Sequence, residues 1–281
     1  MQLGIFSFNT EYGIRPDDLA RALEERGYES LWLPEHTHIP ASRLSPYPGG
    51  GDLPRPYYHM ADPFVSAMAA AAATKRLLVG TAICLVIEHD PIVLAKQVAT
   101  LDLLTGGRFI LGVGAGWNAE EMENHGTPFK RRFKVLEERV KAMKEIWAQE
   151  EASFSGEFVN FEKIISYPKP VSKPHPQILF GGATPRARQR VVDFCDGWIP
   201  IDVLSDDMPE AMADLREKAS AAGRDPAGIP VSIFAFDGAD GDAILKYRDM
   251  GVDRMVLVAP RERDAALAFV DRFAEMVERV A

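Results

Sequence analysis

Val79-Gly80-Thr81-Ala82-Ile83-Cys84-Leu85-Val86, then Glu88-His89-Asp90-Pro91, then a segment to Thr105, then Gly107-Arg108-Phe109-Ile110-Leu111-Gly112-Val113-Gly114-Ala115-Gly116-Trp117-Asn118: this stretch decides the fold. Its two outer parts are short apolar runs ending in small residues, the pattern of strands buried on both faces. Between them Pro91 suits a first helical turn, and Ile92, Ala95, Val98, Ala99, Leu101, Asp102 and Leu103 recur at roughly helical spacing. Strand, helix and strand form a unit whose strands lie parallel, joined by a right-handed crossover. The last run opens into a glycine loop capped by Asn118, with Glu120 and Glu121 in the first turn behind it. Backbone free of Cβ atoms at the carboxyl end of a buried strand is where a ligand approaches closely.

The same alternation extends in both directions. Leu3 to Phe8, Ser30 to Pro34, Gln177 to Phe180, Gly197 to Pro200, Pro230 to Phe236 and Arg254 to Val258 read as further strands. Helical patterns cover Pro16 to Arg26, Phe64 to Thr74, Arg131 to Ala148, Pro185 to Phe194, Met208 to Ala222, Asp240 to Met250 and Arg263 to Val280. Eight strand-helix units without a linker predict one α/β domain over residues 1–281, a (β/α)8 TIM barrel. Two insertions interrupt it. After strand 2 comes a long proline- and glycine-rich segment, Thr37 to Tyr58, whose length suits a lid. After helix 4, Ser153 to Ile165 alternates like a hairpin turning at Gly156-Glu157. The alanine-rich helix from Phe64 permits close helix contact, either within the barrel or across a homodimer interface.

Composition narrows the functional classes. With 281 residues, 47% of them apolar, the chain can bury a large core. A net charge of −9 and a pI near 5.3 argue against partners such as nucleic acid or an anionic membrane surface. Two cysteines, Cys84 and Cys195, make no disulfide framework, which fits a reducing cytoplasm. Met1-Gln2-Leu3-Gly4 leads straight into a strand without a secretory leader, and the most apolar segment, Phe64 to Ala73, is too short to span a bilayer.

In such barrels the active site forms at the carboxyl ends of the strands. Those ends are Phe8 and Asn9, Glu35 and His36, Ala82 to Val86, Gly114 to Trp117, Gly181 and Gly182, and Ile201 with Asp202. His36 stands out, because an imidazole takes or gives a proton near neutral pH. A structural histidine is the plain alternative. Gly181-Gly182-Ala183-Thr184-Pro185 follows a strand and opens a helix, with Thr184 as N-cap, which reads either as a plain capping motif or as an anion site of backbone N–H groups to which Arg186 or Arg188 could add charge. Gly112, Gly114 and Gly116 are spaced G-x-G-x-G, and the charged helix that follows replaces the acidic strand a dinucleotide fold requires. No histidine pair has zinc-ligand spacing beside a carboxylate or thiol, so no metal is expected.

Several motifs together resemble the luciferase-like monooxygenases, and within them the branch that uses the deazaflavin coenzyme F420. They are Trp32-Leu33-Pro34-Glu35-His36, Asp90-Pro91 with Ala95-Lys96-Gln97, Thr100-Leu101-Asp102, Gly106-Gly107-Arg108 and Leu111-Gly112-Val113-Gly114-Ala115-Gly116-Trp117. Pro128-Phe129, Phe154-Ser155-Gly156 and Asp196-Gly197-Trp198 continue the likeness along nearly the whole chain. The resemblance implies a bacterial luciferase-like barrel that moves a hydride between C5 of the deazaflavin and a small organic substrate. His36 would be the catalytic residue. Glu35, Ala82, Ile83, Leu85, Ala115, Gly116, Glu120, Gly181, Gly182 and Thr184 would contact the cofactor, with its phosphate near Thr184, and Phe8 and Trp117 would line the substrate pocket. Relatives bend the third strand at the position of Ala82-Ile83, often through a non-prolyl cis bond. Two departures stand out: Glu35 occurs where an aspartate is common, and Trp117 where some alcohol-oxidising relatives carry a glutamate acid. The alternatives are an FMN-dependent monooxygenase using reduced flavin and oxygen, and a non-catalytic flavin-binding barrel.

Overall fold

The computed structural model describes residues 1–202, 207–236 and 238–280. Eight parallel strands form one sheet: β1 (Gln2–Phe6), β2 (Ser30–Leu33), β3 (Leu78–Thr81), β4 (Phe109–Val113), β7 (Ile178–Gly181), β8 (Gly197–Ile199), β9 (Ser232–Ala235) and β10 (Arg254–Val258). Their spatial order is β8-β7-β4-β3-β2-β1-β10-β9. Parallel bridges Trp198–Val231 and Ile201–Phe234 bring the two ends together, so the barrel is nearly closed. Every residue of β2 and β4 is buried, which explains continuous apolar runs in place of alternation.

The helices are α1 (Pro16–Glu25), α2 (Pro63–Ala72), α3 (Pro91–Thr105), α4 (Ala119–Asn124), α5 (Arg132–Ala148), α6 (Pro185–Phe194), α7 (Met208–Ala221), α8 (Gly241–Asp249) and α9 (Arg263–Val280). Most N-termini are set by chemistry already visible in the sequence. The side chains of Asp62, Asp90, Thr184, Asp207 and Asp240 accept backbone N–H groups of the turns they precede, and a proline opens α2, α3 and α6. The second insertion is the hairpin β5 (Ala152–Ser155) and β6 (Asn160–Ile164), anchored where Glu138 of α5 accepts the N–H groups of Glu157, Phe158 and Val159. Among the described residues no helix is long and apolar enough to cross a membrane.

Two apolar clusters hold the fold. The larger lies between sheet and helices; the smaller fills the barrel with Phe6, Trp32, Ile110, Leu179, Ile199, Phe234 and Val256. Trp32 is fully buried, and its indole N–H donates to Ser30 Oγ at 2.8 Å. Truncating it to alanine would cost about 3–5 kcal/mol.

The third strand is shorter than the run Val79 to Val86 suggested. It stops at Thr81, the Ala82–Ile83 bond is cis, and pairing resumes only as a bridge between Cys84 and Val113. Thr81 Oγ1 and the Cys84 N–H both donate to the carbonyl of Gly112, so the intervening residues bulge into the barrel and Ile83 joins its interior cluster. On α2, Ala67, Ala70 and Ala71 pack inward. Val65 on α2 is 71% exposed, and Val93 and Leu104 on α3 are 55% and 62% exposed. The two cysteines are buried and free.

Candidate active site

The strand ends meet in a cavity of about 190 Å3 lined by Phe6, Phe8, Glu35, His36, Tyr57, Ala82, Ile83, Leu85, Trp117, Ile199, Phe234 and Phe236, among others. It shares Ile83, Gly116, Trp117 and Gly182 with a wider one of about 400 Å3 that reaches Ala115, Phe133, Thr184 and Arg190. Together they are within the size of ordinary small-molecule pockets. The floor is the bulge at Ala82–Ile83. A Cβ on Gly114 would collide with Ile83 Cδ1, so glycine there is what lets the bulge sit against β4. Gly182 adopts φ +117°, a conformation side chains rarely take, and turns the chain from β7 into the first turn of α6.

His36 lies three residues beyond the end of β2, and its side chain is 7% exposed. Its Nδ1 lies 2.6 Å from Oε2 of Glu121, which is 1% exposed and held on α4 behind the Asn118 cap; the other oxygen accepts the Thr37 N–H at 3.1 Å. This carboxylate fixes the proton on Nδ1 and leaves Nε2 for the cavity. The rings of Tyr57 and Trp117 lie 5.5 and 5.7 Å from the imidazole. Tyr57 comes from the lid, where its hydroxyl meets that of Tyr47 at 3.3 Å, and burial pushes its phenol far up, so it stays neutral.

Glu35 borders the same cavity but spends its carboxylate within the protein. Oε2 accepts the Leu85 N–H at 2.6 Å, and Oε1 lies 2.7 Å from Nε2 of His89. Cys84 completes a group of three possible ligands with Glu35 and His89, whose donor atoms fall within 4.8 Å of one another. The 2.7 Å contact is hydrogen-bond spacing, whereas two ligands ~2.0 Å from a tetrahedral ion stand about 3.3 Å apart. Burial and then the Glu35 carboxylate push the Cys84 thiol up, so it remains a thiol. The group is a hydrogen-bonded network. Nearby, burial followed by the charges of Glu121 and Glu35 pushes Glu88 up to about 9, and its Oε1 is buried without a partner. Glu88 is therefore a neutral acid at neutral pH.

Of the residues expected at the cofactor, Glu35, Ala82, Ile83, Leu85, Ala115, Gly116, Gly181, Gly182 and Thr184 border the cavities, as do Phe8, His36 and Trp117. Glu120 does not. It clamps the lid, accepting from the N–H and hydroxyl of Ser45, and that hydroxyl holds its carboxyl down at about 2. The reason is geometric: Glu120 and Glu121 are neighbours on a helix and face apart, so only Glu121 turns inward. Of the two arginines expected at the anion site, Arg188 is taken by Asp214 and by the Ala183 carbonyl. Arg190 lines the cavity instead, 4.0 Å above the Phe133 ring, and Arg132 lies 4.6 Å from the same ring. Glu121, Tyr57, Arg132 and Arg190 were missed by the sequence reading of the site. Only Glu121, in a capped first turn after the glycine loop, left a local signal.

Other motif residues stitch the fold. Asp102 accepts both the N–H and the hydroxyl of Ser172, and Arg108 donates to the carbonyls of Ala71, Leu77 and Thr105.

A barrel whose strand ends form this cavity defines the class, and comparison with known proteins agrees: residues 1–242 match the luciferase-like monooxygenase family, to which the chain belongs. It is 42% identical over 282 residues to an uncharacterized protein of Mycobacterium tuberculosis, covering 98% of each chain. An FMNH(2)-dependent dimethylsulfone monooxygenase of Pseudomonas putida is 34% identical over 60% of this chain and 46% of its own. An F420-dependent glucose-6-phosphate dehydrogenase of Nakamurella multipartita is 32% identical over 72% of this chain and 58% of its own. Among solved structures, monooxygenase RslO1 from Streptomyces bottropensis superposes with a TM-score of 0.82 over 100% of both chains at 21% identity. Relatives thus include both deazaflavin and flavin enzymes.

Proposed function

We propose that this protein is an F420-dependent oxidoreductase that moves a hydride between the deazaflavin and a small organic substrate. The carrying observation is the charge at the end of the cavity remote from His36. Arg190 lines that end over the Phe133 ring, Arg132 lies against the same ring, and Arg186 in the first turn of α6 is near enough for its charge to act on Arg190; among the described residues none of the three makes an ion pair with a carboxylate. Burial, opposed by Glu137 but reinforced by Arg186 and Arg132, lowers Arg190 from its ordinary value. A cluster of guanidinium groups with no carboxylate in ion-pair contact suits a cofactor tail with several negative charges, such as that of F420, better than the single phosphate of FMN.

Ala82, Ile83 and Gly116 would carry the ring, and the first turn of α6 with Arg190 would hold the phosphate. Bound F420 would supply the hydride acceptor or donor. His36 Nε2 would take or return the proton of the substrate oxygen, with the Glu121 carboxylate stabilising the imidazolium that forms. Tyr57 and Trp117 would cover the imidazole and exclude water. Titration of the purified protein with F420 and with FMN tests this. Tighter F420 binding with hydride exchange supports it; tight FMN binding with oxygen consumption would favour the monooxygenase reading that the Pseudomonas relative suggests.

A homodimer belongs to the same proposal. The exposed apolar side chains of Val65, Val93 and Leu104 would be its contact, and light scattering should give twice the mass of one chain.

A further inference from the structure

Behind the cavity lies a separate polar cleft of about 360 Å3, bounded by the start of α3, by α5 and by the β5–β6 hairpin. Glu88, His89, His125, Arg139 and Asn160 line it. The active-site cavity, by contrast, is walled by aromatic and aliphatic side chains, and a ligand within it would leave His36 little contact with bulk water. Among the described residues the hydrogen bonds of His36 offer no exit. They lead to Glu121 and end on the Thr37 amide, a group that does not surrender its proton.

The neighbouring residue takes another route. The Leu85 N–H pins one oxygen of Glu35, and the other lies 2.7 Å from Nε2 of His89. His89 keeps 18% of its side chain exposed and lines the polar cleft. One carboxylate and one imidazole thus join the cavity to the cleft by a direct hydrogen bond. We propose that Glu35 and His89 form a proton port between the reaction cavity and the water of this cleft. The proposal rests on the hydride-transfer reading above, because such a reaction takes up or releases a proton in each turnover.

In the releasing direction a proton from the cavity adds to Glu35. Its O–H at Oε1 passes to Nε2 of His89, and the Nδ1 proton of that ring leaves to water in the cleft. Glu35 ends ionised and His89 neutral with its remaining proton moved from Nδ1 to Nε2; the ring regains the Nδ1 tautomer by turning towards the cleft and exchanging with water there before the next transfer. The groups around the pair suit a ring that changes charge. Burial disfavours the imidazolium, yet the hydrogen bond and charge of Glu35 outweigh it, so His89 lies above its ordinary value; Asp62 adds to this effect and Arg139 on α5 opposes it. Glu88 and Glu121 supply further acidic groups nearby, and His125 stands at the cleft wall, where burial and then His38 lower it.

The test has two arms. In cofactor-free protein, nitrogen NMR of the histidine rings should show His89 titrating above an ordinary histidine, and Glu35→Gln should bring it back down. In turnover with the cofactor that binds, His89→Ala should lower kcat by roughly tenfold with little change in KM. Added imidazole, which can act from the cleft, should restore most of that loss. A His89→Ala variant with normal kcat, or with a loss that imidazole does not repair, overturns the port, as does a His89 titration that Glu35→Gln leaves unmoved. If wild type turns over with neither F420 nor FMN, the cofactor reading fails, while the first arm still decides whether Glu35 and His89 act as a pair.

Discussion

The two halves of the barrel mouth differ in kind. On the side of β1, β8 and β9 the wall is Phe6, Phe8, Ile199, Ile201, Phe234 and Phe236, with Phe6 set edge-on to both Phe8 and Phe234 at 4.9 and 5.6 Å. On the side of β2, β3 and α4, Glu35, His36, Glu88, His89 and Glu121 crowd together, nearly all buried. One half offers area and the other offers protons. The apolar half also sharpens the polar one, since it keeps the local dielectric low and makes each charge across the cavity count for more.

Replacing His36 tests this division most severely. His36→Ala should slow turnover per folded molecule by roughly a hundredfold or more with cofactor binding nearly unchanged, and should also lower the melting temperature because the buried Glu121 carboxylate loses its partner. Should the variant melt early yet transfer hydride normally, His36 is a packing residue and the ionisable half has no catalytic centre. Glu121→Gln, which keeps the shape but removes the charge, should lower turnover by about tenfold and change the pH profile of kcat, because the imidazolium loses its partner. An unaltered profile would detach Glu121 from the chemistry.

At the cofactor end the effects should fall on affinity. Arg190→Ala should weaken cofactor binding by about tenfold, the scale of one charge-assisted hydrogen bond. Gly182→Val should also weaken it, because valine resists φ +117° and its Cβ would press on Ala187 at 3.2 Å. Equal affinity in both variants, measured by fluorescence titration, would move the tail elsewhere.

The last effect is on stability and not on turnover or affinity: a slope. Glu88 sits near 9 when folded and near 4.5 when unfolded, so between those values the folded state holds the extra proton. Stability contributed by this group is therefore greatest at low pH and falls as pH rises towards 9. Glu88→Gln should flatten the stability-pH curve across that window by up to about 1.4 kcal/mol per pH unit. Denaturant melts at several pH values read this directly, and parallel curves for the two proteins would mean that Glu88 is already ionised.

Much of the architecture was legible in the chain itself. The buried strands read as apolar runs, and β10, α6 and α9 fall on the expected residues, because strand burial on both faces and Asp, Thr or Pro at helix starts are local signals. The early end of β3 was not local: the bulge exists because Thr81 and Cys84 both donate to one carbonyl on β4. The site divides the same way. His36, Gly182 and Thr184 could be placed from strand ends and a helix cap, since each sits where its own segment puts it. Which partner each side chain chooses required the folded barrel. Glu121 meets His36 across 85 positions, His89 meets Glu35 across 54, and Arg190 rather than Arg188 reaches the cavity because Asp214 on α7 claims the latter. Sequence determined where chemistry could occur, through periodicity and capping that act within a few residues. Tertiary structure alone decided which charges meet, because hydrogen-bond partners are selected by distance in space and by what burial leaves without water.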